Sequence, residues 1–101
     1  MTLTENYALA SDDAFVGKVM ICVVKAAIAI SGEACGGANQ PTNAAHAKRA
    51  AWALEALAAP RAMAEKMAVG VAANGTITGA SSDSDIEWTV NSIIDDYAGV
   101  D

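Results

Sequence analysis

The chain has 101 residues, 53% of them apolar, with a formal charge of −6, two cysteines and one histidine. This is the size of one domain, able to bury roughly two-thirds of its unfolded surface. So acidic a chain is a poor free-standing nucleic-acid binder, because phosphate contacts need clustered Lys and Arg, and two cysteines without a CxxC pair give neither a disulfide framework nor a zinc site.

Reduced thiols fit a cytosolic setting. Met1–Leu9 contains Glu5 and Asn6 and has no basic start before an apolar run, so it does not read as a signal peptide. Thr2–Ala10 reads as a short helix or an arm, with Tyr7 and Leu9 as its anchors.

The stretch that organises the chain follows, from Asp12 to Ile30. Ser11 is the expected N-cap, and Asp12 and Asp13 place negative charge on the first turn, where the helix dipole favours it. Gly32, and then Gly36-Gly37, supply the stop. Phe15, Val19, Cys22, Val23, Ala26 and Ile30 form one apolar stripe. Val16, Met20, Val24, Ala27 and Ile28 widen it until only Lys18 and Lys25 remain on a narrow polar face. A helix this apolar is normally surrounded. Alanine dominates the other helices and contributes little burial, so part of the sheath is expected from other copies. Two lysines in an apolar run barely long enough to cross make this a poor membrane span.

Glu33–Pro41, with its glycines and Cys35, reads as a loop. Thr42 or Asn43 then caps a second helix to about Ala58, whose apolar face is marked by Trp52, Leu54 and Leu57 among many alanines. His46, Lys48, Arg49 and Glu55 supply its wet side. Pro60 suits a first turn, where its missing N–H is not needed. A third helix is expected to Ala73, with Met63, Ala64, Met67, Ala68 and Val71 inward. Asn74-Gly75 ends it, Thr76–Thr78 is short and extended, and Gly79–Ser82 is linker. Ser84-x-x-Glu87 has the capping-box pattern. It opens a last helix over Asp85–Tyr97 that buries Ile86, Val90, Ile93, Ile94 and Tyr97 and turns Trp88 to another face. The fold expected is an all-α bundle of about four helices, a single domain with a possible N-terminal arm at 1–10 and a tail at 98–101.

Charge is segregated along the chain. Residues 43–82 carry Lys48, Arg49, Arg61 and Lys66 against two acids, whereas residues 83–101 hold six acids and no base. This suits head-to-tail contact between the basic middle of one copy and the acidic end of the next; two solvated faces would look the same. Lys48, Arg49, Arg61, Lys66, Asp95 and Asp96 are the candidate contact residues. Trp88 is the candidate anchor if it lies outside the core, since tryptophans are over-represented at interface hot spots; a core tryptophan is the alternative. No catalytic, metal or cofactor site is expected. His46 with Cys22 or Cys35 lacks an elbow motif and a third orienting group. Asp83-x-Asp85-x-Glu87 has Trp88 where a calcium loop needs glycine. Gly75-x-x-x-Gly79 is not followed by the Lys-Ser or Lys-Thr of a phosphate loop.

Three segments carry a resemblance: Tyr7-Ala8-Leu9-Ala10 with Phe15, Asn43-Ala44-Ala45-His46-Ala47-Lys48-Arg49-Ala50, and Asp83-Ser84-Asp85-Ile86-Glu87-Trp88-Thr89-Val90-Asn91-Ser92-Ile93. Together they look like small virion proteins of tailed bacteriophages and prophages, of the head–tail connector (adaptor) type. The resemblance implies a structural subunit that is not an enzyme. It implies a ring of about twelve copies under the portal, with the portal protein and a stopper or tail protein as partners. It implies no cofactor, no sequence-specific nucleic acid, no membrane, and a place at the head–tail junction of the virion after assembly in the bacterial cytoplasm. A capsid-associated head protein is the rival in the same class, and a bacterial cytosolic helical regulator the rival outside it. The sequence departs from the adaptor pattern in lacking a long portal-facing loop or tail beyond Glu33–Pro41 and Ala98–Asp101.

Overall fold

A computed structural model describes the backbone of residues 8–35 and 44–98, and the side chains of residues 8–31 and 47–96. A helical turn at residues 8–10 precedes four helices: α1 (Asp13–Cys35), α2 (Ala44–Ala58), α3 (Pro60–Ala72) and α4 (Asp83–Ala98). No strand occurs among the described residues, and the all-α bundle expected from the sequence is what forms.

Asp12, rather than Ser11, caps α1: its Oδ1 accepts the Phe15 N–H at 2.9 Å. Ser11 lies one residue too early and donates its own N–H to the Ala8 carbonyl. The helix runs 23 residues, about 35 Å at 1.5 Å per residue, through Gly32 to Cys35. A glycine in a helix interior costs only about 1 kcal/mol relative to alanine, too little to end so long a helix. Residues 33–35 are therefore helical instead of the start of a loop. The remainder of that loop, the candidate caps Thr42 and Asn43, and Tyr7 lie outside the described residues.

All six residues of the expected stripe on α1 are buried, joined by Val16 and Ala27. α1 packs against α2, α3 and α4 alike, so this stripe is sheathed by its own chain and not by other copies. Asp13–Ser31 is long and apolar enough to cross a membrane by length and composition; here its bulky side is core. Ile21 and Ile28, on the opposite face, are exposed.

On α2 the inward residues are Trp52, Ala53 and Ala56, while Leu54 is 66% exposed and Leu57 is also turned outward. This corrects the expected face. Leu54 lies two residues, about 200° of helix rotation, from Trp52, and both cannot face α1. The alanines beside the indole let the helices approach closely. Pro60 occupies the first turn of α3 without any side-chain cap, and Met63, Ala64, Met67, Ala68 and Val71 point inward as expected.

Residues 73–82 are a run of turns instead of an extended piece. Asn74 Oδ1 accepts the Thr76 N–H at 3.1 Å and the Thr76 hydroxyl at 2.8 Å. The Ile77 N–H reaches the Asn74 carbonyl at 3.0 Å, which drives the Ile77 side chain into the core at 2% exposure. Ser82 Oγ then accepts the Asp85 N–H at 3.2 Å. The cap is Ser82, so α4 starts at Asp83, two residues before the expected Asp85, and Ser84 lies inside the helix. Ile86, Val90 and Ile94 are buried and Ile93 is half-buried. The Tyr97 side chain lies outside the described residues. Thr89 is buried too, with its hydroxyl donating to the Asp85 carbonyl at 2.9 Å.

Candidate functional site

α4 brings acids beside bases of its own chain. Glu87 pairs with Lys25 of α1 at 3.1 Å, and Asp95 pairs with Arg49 of α2. Arg61 of α3 reaches Asp13 at 2.8 Å and Glu65 at 3.2 Å. Lys18 donates to the Gly79 carbonyl at 3.3 Å. Of the charged residues marked as contacts, Arg49, Arg61 and Asp95 are therefore engaged within the chain. Lys48, Lys66 and Asp96 are exposed and make no ion pair with another described residue. Most of these pairs are solvent-exposed, and each contributes about 0–1 kcal/mol.

Trp88 is 69% exposed, the most open of the large apolar side chains among the described residues. It stands at the edge of a shallow hollow with Asn74, Thr76 and Asp85, and Ile77 and Thr89 close its base. Asp85 is exposed beside it.

A second concavity was not foreseen. It is a pocket of ≈ 160 Å³ between α2, α3 and α4, with Trp52, Met63, Met67 and Ile93 among its walls. Glu55 of α2 and Lys66 of α3 stand at its rim. Gly70 of α3 and Ile93 of α4 meet in its wall: a Cβ at Gly70 would lie 3.1 Å from Ile93 Cδ1. A glycine within a methionine-rich helix was the signal available in the sequence.

Comparison with protein-family models, with curated proteins and with solved structures finds no match. The surface is therefore read from its chemistry.

Cys22 is buried, with its Sγ 3.9 Å from the Asp83 carbonyl. Burial pushes its thiol above the ordinary value, Glu87 and Asp83 push the same way, and Lys25 opposes them. It is held as a thiol, not as a thiolate nucleophile. The side chains of His46 and Cys35 lie outside the described residues. Asp83 and Asp85 sit in the first turn of α4, and Glu87 is tied to Lys25. Among the described residues no three His, Cys, Asp or Glu side chains gather as a metal site.

Proposed function

We propose that this protein is an assembly subunit that acts by protein contact, and that its setting is a tailed-phage particle, as a head–tail adaptor in a ring under the portal. The observation that supports contact as its task is Trp88. A small bundle that buries Trp52 almost completely leaves its other tryptophan 69% exposed on an acidic helix. Exposed indoles surrounded by polar groups are typical anchors at protein interfaces. The acids of α4 that form no ion pair with another described residue, Asp83, Asp85 and Asp96, give this helix an electrostatic preference for a basic partner. The phage setting rests on the resemblance carried by Tyr7–Ala10 with Phe15, Asn43–Ala50 and Asp83–Ile93.

The test is capture by purified portal rings. Wild-type chain should co-sediment with portal, and Trp88→Ala should bind at least tenfold more weakly. Co-sedimentation with empty capsid shells and not with portal would place it on the head instead. Salt-dependent binding to duplex DNA with no particle binding would replace the assembly reading with a regulator.

A further inference from the structure

We infer that the chain associates head to tail with itself, Trp88 and Asp85 of one copy entering the pocket between α2, α3 and α4 of the next. The inference deepens the proposed function by naming the subunit contact, and it can fail without the phage setting failing.

Knob and socket match in chemistry. The socket offers Trp52, Met63, Met67 and Ile93 as an apolar lining, and its rim carries one cation and one acceptor, Lys66 and Glu55. Neither makes an ion pair with another described residue. The knob offers an indole that is mostly in water and a carboxylate three residues before it on the same helix, Asp85, also without an ion pair among the described residues. Residues three apart on a helix are neighbours on its surface. Seating the indole against the methionines lets Asp85 meet Lys66, and the indole N–H donate to Glu55. Each unpaired group then gains a partner of the right sign, and thioether–aromatic contact adds to the burial.

Geometry sets the mode of association. Ile93, in the socket, and Trp88, the knob, are five residues apart on α4, about 140° of rotation. The two features therefore face different directions, and a copy that has inserted its Trp88 still has its own socket free. Such a contact is heterologous and propagates as a ring or an open string.

The experiment is sedimentation velocity on the isolated chain from about 10 μM to 1 mM, the range of a weak to moderate contact. Wild type should show a rising mass with concentration. Trp88→Ala and Lys66→Asp, both changes of exposed side chains, should each remain monomeric and melt like wild type. Mixed together they should form a one-to-one heterodimer, because the first keeps an intact socket and the second an intact knob. Asp85→Lys should weaken association at least tenfold, and Asp85→Lys with Lys66→Asp should restore it. A wild type that stays monomeric throughout, variants that associate like wild type, or a mixture that gives no heterodimer would each overturn the inference. So would an apolar dye that fills the socket at 1:1 without competing with self-association, which would make the pocket a small-molecule site.

Discussion

Gly70 of α3 and Ile93 of α4 are matched so tightly that a Cβ on the glycine would come within 3.1 Å of Ile93 Cδ1, whereas a Cβ on Gly17 of α1 would meet nothing within 4 Å. The two helical glycines thus give different expectations. Gly17→Ala should stabilise by about 1 kcal/mol from helix propensity alone, or ~4–8 °C in Tm for a domain of this size. Gly70→Ala gains the same propensity but must push Ile93 off its rotamer, at about 0.5–1.5 kcal/mol, and should leave Tm nearly unchanged. Thermal melts of the two variants side by side check this; an equal rise in both would show that α3 and α4 are not in close contact there.

Ile77 and Leu54 reverse the usual ranking of loop and helix residues. Ile77 lies in a turn yet is 2% exposed, and Leu54 lies mid-helix at 66% exposure. Ile77→Ala should cost about 2–5 kcal/mol, the range for emptying a core aliphatic site. Leu54→Ala should fall within about 0.5 kcal/mol of wild type. Urea denaturation measures both, and a larger loss from Leu54→Ala would invert the burial described.

Arg49 is mostly buried at 24% side-chain exposure, and its partner Asp95 is 45% exposed. Asp95→Lys sets two cations together and should destabilise by about 1–2 kcal/mol, more than a surface pair would. The neighbouring Asp96→Lys should change stability by less than about 0.5 kcal/mol. Exchanging the charges in Arg49→Asp with Asp95→Arg should recover part of the loss. Equal effects at positions 95 and 96 in denaturant titrations would dissolve the distinction.

Cys22 makes stability depend on alkaline pH. Its thiol is held above the ordinary value in the fold, so the unfolded chain ionises first, near pH 8.5. The stabilising contribution is complete below that pH and is lost as pH rises towards the folded value. The stability gap between wild type and Cys22→Ala should therefore narrow from pH 7.5 to 10. Cys22 should also react with a thiol reagent only as fast as the protein opens. A gap that widens with pH would mean the thiolate is favoured in the fold.

Much of the fold was legible because period and burial agree where side chains are large. The stripe from Phe15 to Ile30, the methionine face of α3, and Ile86, Val90 and Ile94 of α4 are inward as their spacing requires. Legibility failed where alanine blurs the period. On α2 the face was assigned to Leu54 and Leu57, while the structure buries Ala53 and Ala56 beside Trp52, since close approach favours small residues over bulky ones. Caps were misplaced by one or two residues because Ser11, Asp12, Ser82 and Ser84 all have capping chemistry. Only hydrogen bonds from Phe15 and Asp85 choose among them. The exposure of Trp88 was visible as an off-face position, but the socket was not: it depends on how three successive helices pack, which no single helix period records.

The position of α1 against each of the other three helices governs how the molecule comes apart. Val19, Val23 and Ala27 of α1 are fully buried beneath the other three helices, so local opening of one of them should leave these amides covered. Their hydrogen exchange should require global unfolding. Melting should accordingly be a single cooperative event, and damage to α1 a loss of the whole fold at once.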